Sequence, residues 1–133
     1  MRMSNDGQAA RVLIVEDDYL VASEAEAALT EAGFEVTGIA DSVAEALDHA
    51  ARTKPDIVIM DVRLRGSPDG IEGARELLNQ HGARCIFATA HHDADTRRRA
   101  EDTAPLGWLP KPYGVSALVS MTQRAVQEVM RGR

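Results

Sequence analysis

The feature that most constrains this chain is an alternation, met five times, of a short apolar run with a stretch of helical periodicity. The runs are Val12–Val15, Phe34–Ile39, Ile57–Met60, Cys85–Ala88 and Leu106–Leu109. A continuous apolar run of this length predicts a strand buried on both faces, as in a parallel sheet. Phe34–Ile39 is weaker, because Glu35 and Thr37 interleave with its apolar residues, and it predicts an edge strand with one wetter face. The first helical stripe is Val21, Ala25, Ala28 and Ala32, stopped by Gly33. The second is Val43, Ala46, Leu47 and Ala50, with Ser42 and Glu45 spaced as a capping box and Pro55 ending the connection. Ile71, Ala74, Leu77 and Leu78 form the third, after a Gly/Pro-rich loop from Arg65 to Gly70. Residues 93–102 have helical propensity but a poor apolar stripe, and carry Arg97, Arg98 and Arg99, so a loosely held helix is predicted there. Val115, Leu118, Val119, Thr122, Val126 and Val129 stripe a long last helix.

Five strand–helix units in alternation imply an α/β fold, a doubly wound (βα)5 arrangement around a five-stranded parallel sheet. The flavodoxin-like strand order 2-1-3-4-5 puts the second and fifth strands at the edges, and these are the two least hydrophobic strands. A length of 133 residues suits one domain, expected over residues 11–131 behind a disordered polar leader over 1–10. Aromatic residues make up only 4%, so the core must be aliphatic. The net charge of −6 argues against a general nucleic-acid or anionic-membrane surface, either of which needs a basic excess. The single cysteine, Cys85, has no partner for an internal disulfide and lies in an apolar run, as a small core residue would. That suits a reducing cytoplasm, and no apolar stretch reaches signal-peptide or membrane-spanning length.

In an open α/β sheet, ligands bind beyond the carboxyl ends of the strands. The first strand is followed by Glu16, Asp17 and Asp18, the third by Asp61, the fourth by Thr89 and the fifth by Lys111. Each alone has an ordinary reading: a helix cap for Asp17 or Asp18, a turn for Thr89, a solvated side chain for Lys111. Together, each at its own strand end, they describe a site. Converging carboxylates repel unless a cation lies between them, and hard oxygen ligands with room for water suit Mg²⁺. A carboxylate can accept a phosphoryl group, and a hydroxyl and an ammonium can supply donors to its oxygens.

These residues resemble the receiver domain of two-component response regulators, from about Val12 to Val129. The resemblance rests on Val-Leu-Ile-Val-Glu-Asp-Asp at 12–18, Pro-Asp-Ile-Val-Ile-Met-Asp at 55–61, Asp69-Gly70, Thr89-Ala90 and Lys111-Pro112. It implies that Asp61 is the phosphoacceptor and that Glu16 and Asp17 are the acidic pair. Asp17, Asp61 and the backbone carbonyl of Arg63 would ligate Mg²⁺ directly, and Glu16 through water. Thr89, the backbone N–H of Ala90 and Lys111 would hold the phosphoryl oxygens, and the Lys111–Pro112 bond would be cis. Trp108 matches the aromatic that changes rotamer as Thr89 moves. Against the family's pattern, Arg65 stands where many receivers have proline, and the loop after Asp61 looks one residue longer. Arg63 and His91 occupy positions that in this family influence how fast the acyl phosphate hydrolyses.

The implied activity is that of a regulatory phosphoacceptor, not an enzyme acting on external substrates. Its only chemistry would be Mg²⁺-dependent self-phosphotransfer and autodephosphorylation. The implied partners are a sensor histidine kinase or histidine phosphotransfer protein and a downstream protein met through the fourth helix, fifth strand and fifth helix. That face would also serve a homodimer, and no direct DNA contact is expected. A haloacid-dehalogenase-type phosphatase needs a second aspartate two residues after the first, where this chain has Arg63. His49, His81, His91 and His92 have no metal-ligand spacing with a cysteine. Two alternatives stand beside this reading: a receiver-like interaction module independent of phosphorylation, and a receiver fragment of a larger regulator or hybrid kinase. Met1 and the short tail 131–133 point to a natural single-domain protein.

Overall fold

The computed structural model describes residues 9–64, 69–91 and 93–132. Its strands are β1 (Arg11–Val15), β2 (Glu35–Ala40), β3 (Ile57–Asp61), β4 (Arg84–Thr89) and β5 (Gly107–Pro110). Its helices are α1 (Tyr19–Glu31), α2 (Val43–Thr53), α3 (Gly70–His81), α4 (Ala94–Ala100, continued by a 3-10 turn at Glu101–Thr103) and α5 (Val115–Arg131). The five strands form one parallel sheet in the order β2-β1-β3-β4-β5, as the alternation requires. Most of the expected leader, along with residues 65–68 of the expected loop and His92, lies outside the described residues. Ala10 is already fully buried, and its carbonyl accepts from the Glu35 N–H at 2.9 Å.

Alternate residues of each buried strand point to opposite faces, and this divides the core in two. Leu13, Val15, Val58, Met60, Cys85 and Phe87 pack towards α2 and α3. Val12, Ile14, Ile57, Ile59 and Ile86 pack towards α1 and α5. β3 is buried along its whole length, including Asp61, which the strand carries as its last residue. β2 is only half-buried over most of its length, as an edge strand should be.

The structure corrects several local expectations. The inward face of α1 is Ala22, Ala25 and Leu29, whereas Val21, Ala28 and Ala32 face an open groove beside α5. Alanines on several sides of α1 leave its periodicity ambiguous. Val115 is exposed, and Leu118, Thr122, Ala125 and Val126 are the buried face of α5. At α2 the Ser42 hydroxyl accepts from the Glu45 N–H, but the Glu45 carboxylate accepts from Asp41 N–H instead of closing the box on Ser42. The complete capping box is at α3, between Asp69 and Glu72, and Gly70 opens that helix instead of ending the loop.

Cys85 is buried, and burial pushes its thiol well above the ordinary range, disfavouring the thiolate. Alkylation of the native protein by iodoacetamide at neutral pH is therefore expected to run at the rate of unfolding. The check is intact mass with and without denaturant, with one adduct in denaturant alone; rapid native labelling would contradict the packing.

Candidate functional site

The carboxyl ends of β1, β3, β4 and β5 meet at one rim, and backbone hydrogen bonds set their spacing. The Val62 N–H donates to the Ala88 carbonyl at 3.0 Å, and the Lys111 N–H to the Thr89 carbonyl at 2.9 Å. Asp18 caps α1 by accepting from the N–H groups of Leu20 and Val21, which is the role its position suggested. Glu16 and Asp17 remain at the rim with Asp61, and one ligand oxygen from each of the three lies within 4.8 Å of the others.

Glu16 and Asp61 are both buried, and so their charges need partners. Lys111 Nζ donates to Glu16 Oε1 at 2.8 Å and to Asp61 Oδ2 at 3.2 Å. The second oxygens are also bonded: the Asp18 N–H donates to Glu16 Oε2 and the Arg63 N–H to Asp61 Oδ1, each at 3.0 Å. Burial, helped by the nearby Asp61 charge, raises the Glu16 carboxyl above its ordinary value, even though Lys111 and the Asp18 N–H pull it down. For Lys111 burial disfavours the ammonium, but Glu16 and Asp61 outweigh it and hold the group above its ordinary value. The Lys111–Pro112 peptide is cis. Tyr113, next after Pro112, is half-buried beside the site, and burial pushes its hydroxyl up to about 12.

The fit to a divalent cation can be judged from the donors. Three carboxylates supply hard oxygens within one ion's reach, and Asp17 is only half-buried, which leaves a side open to water. The set suits Mg²⁺ and lacks the nitrogen and sulfur ligands favoured by zinc.

Other anticipated residues fall around this centre. The Thr89 side chain is buried, and its hydroxyl is engaged with the His91 backbone, donating to the carbonyl at 3.2 Å and accepting from the N–H at 3.0 Å. Ala90 is exposed at the rim, and the Arg63 side chain is exposed beyond it. Trp108 lies further off, half-buried. Its ring stacks on Phe87 at 4.8 Å, and the Arg97 guanidinium sits 5.1 Å from the ring centroid on α4.

Sequence reasoning gave no part to Gly70, although Asp69-Gly70 was among the motifs. A Cβ on Gly70 would lie 2.0 Å from the Asp61 carbonyl oxygen and 2.9 Å from Val62 Cα. The Gly70 N–H also donates to the Val62 carbonyl at 3.0 Å. The start of α3 is thus pressed on the backbone that carries Asp61. Tyr113 was also missed. It lines a groove of about 940 Å³ between α1 and α5, with Ala28, Leu118 and, at the site end, Lys111 and Ala90.

Comparison with known proteins decides the family. The family model of the response regulator receiver domain matches residues 12–123. The chain belongs to that family. A curated relative of this receiver, the transcriptional regulatory protein PdtaR of Mycobacterium tuberculosis, is 37% identical over 116 residues, covering 87% of this chain and 56% of PdtaR. The DNA-binding transcriptional regulator NtrC of Klebsiella pneumoniae is 32% identical, covering 85% of this chain and 24% of NtrC. The receiver therefore spans about half, or less, of the length of these relatives. Among solved structures, the signal receiver domain of a modulated diguanylate cyclase from Desulfovibrio desulfuricans G20 superposes with a TM-score of 0.86 at 32% identity, covering 95% of this chain and all of that one. A CheY-like receiver domain protein from Methanospirillum hungatei JF-1 shares the fold, with a TM-score of 0.85 at 19% identity over 95% of this chain. Among the described residues of this receiver, no helix is long and apolar enough to cross a membrane.

Proposed function

We propose that the chain is a phosphorylation switch whose phosphoacceptor is Asp61, within a receiver domain spanning 11–131. The observation that carries this reading is the double engagement of Lys111 with Glu16 and Asp61 beside the Asp17 carboxylate. The ammonium offsets the carboxylates' mutual repulsion and stands ready to pair with a phosphoryl oxygen. Transfer proceeds by attack of an Asp61 carboxylate oxygen on the phosphorus of a phosphohistidine. The P–N bond breaks, an acyl phosphate forms, and the donor imidazole leaves. Asp17, Asp61 and the Arg63 carbonyl would hold Mg²⁺, with Glu16 behind them, and the bound ion would supply charge neutralisation for the incoming oxygens. Thr89 gives up its bond to His91 and donates to the phosphoryl group, with the Ala90 N–H beside it.

The donor is a sensor histidine kinase or histidine phosphotransfer protein. The groove between α1 and α5 reaches Lys111 and Ala90, which leaves a docking partner room beside the acceptor. Output runs through α4, β5 and α5, where Trp108 and Arg97 are in contact. There a downstream protein or a second copy of the chain would bind. The only chemistry is self-phosphotransfer and hydrolysis of the acyl phosphate, and the fitting compartment is the cytoplasm.

Lys111→Met tests the charge balance. Without the ammonium, two buried carboxylates lose their cation, and the metal-free protein is expected to be less stable by about 1–3 kcal/mol. Added Mg²⁺ binds only the folded state, so it should raise Tm in both proteins and by more in the variant. Thermal unfolding across a Mg²⁺ titration reads this. Equal Mg²⁺ effects in the two proteins would argue against a shared charge site.

A further inference from the structure

The short helix α4 is held in an unusual way. It has seven residues and buries only Ala100, so apolar packing does little to fix its place. Its position is set instead by directional contacts on two sides. On one side Arg97 lies over Trp108 of β5. On the other, Arg99 Nη2 donates to Asp69 Oδ2 at 2.8 Å, and the Arg99 carbonyl accepts from Arg75 Nη2 at 2.9 Å. Arg75 also grips Asp102, just past α4, through two hydrogen bonds of 2.9 and 3.0 Å. Residues two apart on a helix do not share a face, so Arg97 and Arg99 straddle α4.

Asp69 is itself fixed. Its other oxygen, Oδ1, accepts from the Glu72 N–H at 3.0 Å, capping α3. The next residue, Gly70, is bonded to Val62 and pressed against the Asp61 carbonyl. The line from Arg99 through Asp69 and Gly70 to Asp61 therefore has little slack.

We propose that Arg99 is a positioning residue that ties α4 to the acceptor end of β3 through Asp69, by a route separate from Thr89 and Trp108. The pair holds α4 in the place described, and phosphorylation must stretch or break it before α4 can move. The inference rests on Asp61 being the phosphoacceptor. Because the pair is partly exposed, its removal should shift the equilibrium between this α4 position and a displaced one about two- to fivefold, the range an exposed ion pair supplies.

The test uses the full chain with 5-fluorotryptophan at Trp108, the only tryptophan, so that one fluorine resonance reports the α4 contact. Mg²⁺ with beryllium fluoride, an acyl-phosphate mimic, defines the activated resonance in the wild type. Without the mimic, Arg99→Gln should move the signal part-way towards that position. Asp69→Asn should do the same, since asparagine still caps α3. The double variant should match the singles, because both remove one interaction. About 1 M salt should shift the wild type in the same direction and Arg99→Gln hardly at all. If either single variant keeps the wild-type resonance without the mimic, the tie is overturned while the phosphoacceptor reading stands. If the wild type itself ignores Mg²⁺ and beryllium fluoride, the phosphoacceptor reading fails and the tie fails with it.

Discussion

In the Asp61→Asn variant, phosphoryl incorporation from acetyl phosphate or a phosphohistidine donor is expected to fall below detection, while the fold persists. The carboxylate oxygen that would attack phosphorus is replaced by an amide, which is a poor nucleophile. The variant also removes one of three clustered negative charges, so Mg²⁺ affinity should drop about tenfold or more, on the order of 1.4 kcal/mol. Stability should respond in the opposite sense. Asp61 is one of the groups raising the Glu16 carboxyl, and removing its charge lets Glu16 pair with Lys111 unopposed. Metal-free Asp61→Asn should therefore melt no lower than the wild type. Intact mass, a Mg²⁺ titration and thermal unfolding read the three effects. Retained phosphorylation would place the acceptor elsewhere.

Gly70→Ala is expected to have the largest effect on stability, about 2–4 kcal/mol or roughly 10 °C in Tm. The added methyl would meet backbone atoms of Asp61 and Val62, and neither can swing aside as a flexible side chain would. Relief requires moving the start of α3 or the end of β3, which costs the Gly70–Val62 hydrogen bond and displaces Asp61. Whatever fraction folds should thus phosphorylate more slowly than wild type at the same Mg²⁺. Gly73→Ala provides the contrast. Its nearest neighbour would be a Val43 methyl at 2.7 Å, a side-chain contact, so it should cost less and leave phosphorylation near normal. Equal losses for the two variants would contradict the claim that Gly70 acts through the backbone of Asp61 and Val62.

Much of this architecture could be read from residues alone, for identifiable reasons. Ile57–Met60 and Val12–Val15 are apolar without interruption because both faces of their strands are covered, and Glu35 and Thr37 mark β2 as an edge. That contrast agrees with the flavodoxin-like strand order, which puts β2 at an edge. The carboxylates and Lys111 were legible because an α/β sheet gathers its strand ends at one rim, so chain position predicts spatial position there. Contacts set by tertiary approach were not legible. The closeness of Gly70 to Asp61 depends on the entry angle of α3, and Arg99 meets Asp69 across 30 residues of sequence. The inward face of α1 was misjudged because alanine fits equally well at half-buried and buried positions, so its stripe carries little directional information. The bond of Glu45 to Asp41 in place of Ser42 is a one-residue difference in backbone path that spacing does not encode.

Chemical trapping shows whether Asp61 receives the phosphoryl group. The wild-type protein is incubated in Mg²⁺ with acetyl phosphate and, in parallel, in Mg²⁺ with a phosphohistidine donor. It is then treated with borohydride, which reduces an acyl phosphate to an alcohol and turns the modified aspartate into homoserine. The expected result is homoserine at position 61 alone, absent when Mg²⁺ is chelated beforehand. Homoserine at Asp17 or Asp18, or none at any position with either donor, would contradict it.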